Sequence, residues 1–412
     1  MTALLFRDAR LVDPALGTEA RGDLLVADRS IVAVGPGLAA SASARVIEAK
    51  GRVLAPGLID AGVFRTDVEA SVAGGITSAL LMPDQSPPLD DPALIERAER
   101  LGKPRLWVRP LAAATRGLAG RELSELALMR EAGAIGVATG RAAIVDAQVM
   151  LRLLRYAAGL GLVVVAHAEC PALTAGAVAT EGEMATRLGL PAAPAAAEAV
   201  QVARDLRLAR EAGAALHFAC LSTAEAIDLV RAAKAAGQDV TAATAPAYAL
   251  LSDLALAGWR SFARLSPPLR DEADRLAVRA GLADGTIDML ASRHDPRTQE
   301  DKRLPFADSE PGAAGAATLL ALGLSMVHDG TLTLPRLLAL LSAAPAARFG
   351  LPGGSLAVGA PADLILFDPD APWRIESDHL PGLAGNTPFD GLPVSGRVTM
   401  VVKGGEVIRA CA

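Results

Sequence analysis

From Leu58 onward, eight short apolar runs recur along the chain, and stretches with helical spacing separate most of them. The runs cover 57–63, 75–82, 105–112, 134–140, 162–169, 215–222, 239–246 and 287–294. Few architectures bury eight short strands that alternate with helices. The intervening stretches, such as "DAQVMLRLLRYAAGLG" and "STAEAIDLVRAAKAAG", place apolar residues three and four apart and end in Gly, as a helix C-terminus prefers. Eight such units close a (β/α)8 barrel. The rival is an open doubly wound sheet. It is disfavoured because no Gly-x-Gly-x-x-Gly turn follows the first run.

The ends of the chain have a different rhythm. "ALLFRDARLV", "GDLLVADRSIVAVG" and "ARVIEAKGRVLAPG" read as short strands, and after residue 350 "APADLILFDPD" and "GRVTMVVKGGEVIR" return to that pattern. A hairpin is expected at Gly404-Gly405. The reading is therefore α/β: residues 1–54 and 350–412 together form a small β-sandwich domain, and 55–349 form the barrel. A chain of 412 residues suits one large domain plus a smaller one.

Composition narrows the partners. A net charge of −6, with no dense Lys/Arg stripe, argues against nucleic acid. Cys170, Cys220 and Cys411 form no short-spaced pair, which suits a reducing cytoplasm better than a disulfide scaffold or a zinc ribbon. The start, "MTALLFRDARLVDP", lacks a basic segment followed by a long apolar run, so no signal peptide is expected. The uncharged stretch 312–327 is too short to span a membrane and reads as a buried helix. The charged stretch 297–312 reads as a solvated loop. A cytoplasmic protein with no membrane partner is expected.

In such a barrel the chemistry sits where the strands end. The first run ends in Gly62, Phe64, Arg65 and Thr66, and the second in Met82, Pro83 and Asp84. "VATGR" closes the fourth and offers only Thr139, while the fifth gives His167 and Glu169. His217, Cys220, Ser222 and Thr223 follow from the sixth, Thr244, Pro246 and Tyr248 from the seventh, and Arg293, His294 and Asp295 from the eighth. None of the five histidines forms a close-spaced ligand pair, the usual anchor of a catalytic metal. Taken alone, His167 reads as a hydrogen-bonded barrel histidine and Cys220 as a small buried hydrophobe. Asp84 and Arg293 could pair across the mouth.

Over nearly its whole length the chain resembles the dihydroorotase branch of the amidohydrolase superfamily. The resemblance rests on "PGLID" (56–60), "GGITSALLMPD" (74–84), "HAE" (167–169), "EGEMATRLGLP" (181–191), "LHFACLST" (216–223) and "NTPFDG" (386–391). It implies a metal-binding barrel flanked by a β-sandwich, and chemistry that interconverts carbamoyl-aspartate and dihydroorotate. Position by position, the family's His-x-His falls on Gly62 and Phe64, and its carboxylate-binding arginine on Thr66 with Arg65 adjacent. Its substrate-binding asparagine falls on Asp84, its strand-six histidine on Cys220 and its catalytic aspartate on Arg293. Only His167 survives.

These losses lead to the expectation of a chain without turnover, with no catalytic residues, no metal and no cofactor. The resemblance then implies an assembly subunit in pyrimidine biosynthesis, partnered with the aspartate transcarbamoylase catalytic chain in a hetero-oligomer. Arg65, His294 and Asp295 are expected to line an anion-binding or vestigial pocket. The alternative is a dihydroorotase-type cyclic amidohydrolase with a rebuilt zinc site formed by His167, Cys220 and His294.

Overall fold

A computed structural model describes residues 3–39 and 44–410; Cys411 lies outside them. Strands β1 (Leu4–Asp13), β2 (Thr18–Ala27), β3 (Ser30–Gly35), β4 (Arg45–Glu48) and β5 (Val53–Pro56) open the chain. All eight apolar runs then become strands. They are β6 (Leu58–Val63), β7 (Ile76–Leu81), β8 (Trp107–Pro110) continued by β9 (Ala112–Ala113), β10 (Gly136–Ala138) and β11 (Val163–Ala166). A two-residue parallel pair, β12 (Ala179–Thr180) and β13 (Ala192–Ala193), precedes β14 (Leu216–Phe218), β15 (Val240–Thr244) and β16 (Met289–Leu290). The chain ends in β17 (Leu364–Arg374), β18 (Pro393–Lys403) and β19 (Glu406–Ala410).

The barrel strands pair in parallel and in chain order. The third run is shared: β8 pairs with β7, β9 pairs with β10, and between them the Leu111 N–H donates to the Leu81 carbonyl at 2.9 Å. The ring closes through Asp60. Its carboxylate accepts the Ser292 N–H at 2.9 Å and the Ser292 hydroxyl, and just above them the Phe64 N–H donates to the His294 carbonyl at 2.9 Å. Burial pushes the Asp60 carboxyl up, against the pull of these Ser292 bonds. Ile59, Ala61, Leu80, Val163, Val165, Ala243 and Met289 fill the interior, so the barrel is a packed core rather than a pore.

The terminal segments share one sheet, in the order β19-β18-β17-β5-β1-β2-β3, with β4 also on β1. Phe6, Leu24, Leu54, Leu364 and Val402 belong to its separate core. The hairpin between β18 and β19 turns on Gly404 (φ +55) and Gly405 (φ +79), both in the region where glycine alone is unstrained.

Two local expectations need correction. The buried helix expected over 312–327 runs only over Leu319–His328, after a short turn at Ala316–Thr318. At Gly315 a Cβ would come within 2.4 Å of the Ser292 carbonyl, and Gly312 has φ +136, so this stretch passes the strand end as a close-packed loop. Nor is 297–312 merely a solvated loop. Thr298 caps a short helix, Gln299–Arg303, and buried Lys302 donates to the carbonyls of Ser261 (3.1 Å), Arg264 (3.4 Å) and Glu310 (2.6 Å). Burial lowers the Lys302 ammonium to about 8. Among the described residues no helix is long and apolar enough to cross a membrane.

Candidate functional site at the barrel mouth

At the end of the first strand, a Cβ on Gly62 would meet open space, so this position offers room but no donor. Phe64 is buried, and two guanidinium groups lie over its ring: Arg141 at 3.9 Å and Arg293 at 5.2 Å from the centroid. Such contacts attract a cation to the electron-rich ring face. Arg65 is exposed and lines no part of the mouth cavity, and the Thr66 hydroxyl is buried without a partner.

The strand-two carboxylate does not pair with Arg293. Asp84 instead accepts the Arg141 N–H at 2.8 Å and lies 4.0 Å from the Arg141 Nε. Gly140 permits this: its φ is +83, and a Cβ there would press to 2.8 Å from the Asp84 Oδ1. Burial raises the Asp84 carboxyl despite Arg141, and its Oδ2 has no partner. Arg141 also reaches across the mouth to the Asp295 Oδ2 at 2.6 Å, where Arg297 joins at 2.9 Å, while the Asp295 Oδ1 is buried and unpartnered. Arg293 donates to the Ser266 carbonyl at 3.2 Å.

Beneath the mouth lies a charged network. The His167 Nε2 is 3.5 Å from the Glu169 carboxylate, and the His167 N–H donates to the Thr139 hydroxyl at 2.9 Å. Arg270 is 3% exposed and binds Glu169 (2.9 Å), Ser222 (2.9 Å) and Thr180 (3.0 Å), with Glu198 at 3.5 Å. Burial works against the Glu169 anion, yet His167 and Arg270 outweigh it and hold Glu169 below the usual carboxylate range. Burial pushes the Cys220 thiol up to about 12, and the Tyr248 hydroxyl, donating to the Pro267 carbonyl at 2.7 Å, well above its ordinary value.

The rebuilt zinc site is not assembled. The His294 Nδ1 accepts the N–H groups of Gly315 and Ala316, both at 3.2 Å, and its Nε2 faces Asp67 at 3.3 Å, so both ring nitrogens are already engaged. Cys220 is a neutral thiol at physiological pH, whereas a ligand must be a thiolate. Among the described residues no three His, Cys, Asp or Glu side chains converge on a metal position. The donor set as arranged does not fit a metal. Of the residues expected to line a pocket, only Asp295 does so; His294 is packed behind the strand end and Arg65 faces solvent.

The mouth cavity is small. Phe64, Arg141, Tyr248, Arg293, Asp295 and Phe389 enclose about 60 Å3. That admits a few waters at roughly 10–15 Å3 each, whereas a cavity that takes up benzene measures about 150 Å3. Arg141, with a side chain 38% exposed, is the wall freest to swing aside. Two of these groups went unrecognised in the sequence. Arg141 closes "VATGR", so an arginine at a strand end was visible there; Arg270 sits in "PPLR" with no local sign that it would be buried.

The sequence pattern of the Amidohydrolase family matches residues 51–408. A dihydroorotase of Citrifermentans bemidjiense is 38% identical over 98% of this chain and 99% of its own length. One from Pelotomaculum thermopropionicum is also 38% identical, over 98% of both. Among solved structures, the L-hydantoinase (dihydropyrimidinase) of Arthrobacter aurescens superposes with a TM-score of 0.89 at 27% identity, covering 100% of this chain and 96% of that one.

These relatives overturn three expectations drawn from the altered strand ends. A non-catalytic assembly chain, a protein that is no enzyme, and the absence of any metal cofactor are all withdrawn. Full-length relatives at 35–38% identity bear an enzyme's name, and they place the chain in the family whose barrel the resemblance describes as metal-binding. The physical reason is general: losing ligands at single positions removes one arrangement of a site, not every arrangement that a barrel mouth can hold.

Proposed function

The chain belongs to the amidohydrolase family, and from that premise we propose that it is a dihydroorotase-type cyclic amide hydrolase. Its substrate class would be a small carboxylated ring amide and the ring-opened ureido acid. One observation in the structure supports this most: at the end of strand eight, Asp295 has one oxygen held by Arg141 and Arg297 and the other free, beside Arg293 and the Phe64 ring.

The roles follow from that geometry. Arg293 offers a planar fork of donors to the substrate carboxylate, and the Phe64 ring gives the apolar part of the substrate a flat floor. The free oxygen of Asp295 takes a proton from water as the water adds to the ring carbonyl. It returns that proton to the ring nitrogen as the C–N bond breaks. Arg141 must swing out to admit the ring, which also releases one partner from Asp295. Because the donor set does not fit a metal, no step here runs through one.

Purified protein of measured metal content, offered dihydroorotate and carbamoyl-aspartate in separate assays, tests this reading. Turnover in both directions is expected, and Asp295→Asn should lower kcat by roughly 100-fold or more. An unchanged kcat in that variant would remove Asp295 from the reaction. We also propose the association with aspartate transcarbamoylase that the resemblance implies; separate elution of the two proteins in size-exclusion chromatography would exclude it.

A further inference from the structure

A second cavity, of about 590 Å3, lies between the barrel and the terminal sheet and shares no lining residue with the mouth. The C-terminal end of helix Val68–Ala73, helix Leu319–His328 and strands β17, β18 and β19 form its walls. Its size falls within the roughly 300–1,000 Å3 of small-molecule sites.

The lining is unusual for a chain of net charge −6. Arg374, Arg397 and Arg409 all face it, and among the described residues none has an ion-pair partner. Arg374 donates to the Gly391 carbonyl at 3.1 Å, and the Arg397 guanidinium lies 5.4 Å from the Trp373 ring centroid. Arg409 keeps a buried Nε–H with no acceptor at all. The Trp373 indole is fixed by its own bond to the Gly396 carbonyl at 2.9 Å. Glu376, the one carboxylate in the lining, is 2.6 Å from the His379 ring nitrogen.

Arg409 pairs with Val401, four positions along β18 from Arg397, so both guanidinium groups can reach one anion, whereas Arg374, paired with Pro393, lies farther along. A phosphate monoester, with three terminal oxygens and up to two charges, suits two such groups. We propose that this cleft binds a small phosphate-bearing anion through Arg397 and Arg409, with Trp373 beside the rest of the ligand. The site is independent of the reaction at the mouth.

Isothermal titration of the full chain with inorganic phosphate, uridine monophosphate and adenosine monophosphate tests the proposal. Saturable binding is expected, weakened about tenfold or more in Arg397→Gln and in Arg409→Gln, and weakened by added salt. Arg397 is exposed, so its variant keeps the fold even if Arg409→Gln does not. Tighter binding of a nucleotide than of inorganic phosphate would place its ring in the cleft; equal binding would assign the site to the phosphoryl group alone. No saturable binding of any probe up to about 10 mM overturns the proposal. Binding that Arg397→Gln leaves unchanged overturns it as well.

Discussion

Arg293 has φ +49, a left-handed backbone conformation uncommon for any residue but glycine. Such strain gathers at working sites, and here it aims a guanidinium over Phe64 from the end of strand eight. Replacing it by glutamine keeps the backbone problem and removes the charge. Arg293→Gln should raise KM for dihydroorotate about tenfold or more while kcat changes little, since a bond to a charged group contributes roughly 1.5–3 kcal/mol. A loss confined to kcat would show that Arg293 does not hold substrate. A second residue governs stability rather than turnover. His217 is fully buried, 2.8 Å from the Thr241 hydroxyl, and burial lowers it to about 3 from the ordinary 6.5. The unfolded chain therefore binds a proton that the folded chain refuses, and stability falls as pH drops through that window. Between pH 7 and 5, His217→Gln should lose about 2 kcal/mol less than the parent protein, measured by urea unfolding at both pH values. Equal losses would mean that the imidazole is solvated.

At the scale of elements, strand positions were legible because burial on a barrel leaves continuous apolar runs, and every one of the eight runs became a strand. The Gly404-Gly405 turn was legible for a local reason as well, since both residues need positive φ. What joins the strand ends was not. Arg270 arrives from a loop about a hundred residues beyond Glu169 and about seventy beyond Glu198 in sequence, and ties the end of strand five to helix Ala196–Ala212 and to Ser222 at the end of the sixth run. The same holds for Arg141, whose partner Asp295 is 154 residues away, and for His294, whose engagement by backbone N–H groups no spacing could show. Removing the cation from the buried network leaves two carboxylates uncompensated. Arg270→Met should therefore cost about 3–5 kcal/mol in urea unfolding at neutral pH. A cost below about 1 kcal/mol would show that water already screens the network.

At the scale of the whole molecule, the mouth cavity and the arginine-lined cleft lie apart. One is small, at the barrel mouth; the other is larger and cationic, where the barrel meets the terminal sheet. Gly62 and Phe64 stand where the resemblance places the family's histidine pair, and two guanidinium groups lie over the Phe64 ring. The proposed reaction requires Arg141 to move and uses Asp295, two residues beyond the position at which the resemblance places the family's aspartate. Dihydroorotate ring opening by the purified chain, followed alongside its metal content and repeated with added zinc, tests this most directly. The account predicts turnover above the uncatalysed rate that falls roughly 100-fold or more in Asp295→Asn. No turnover under either condition would contradict it.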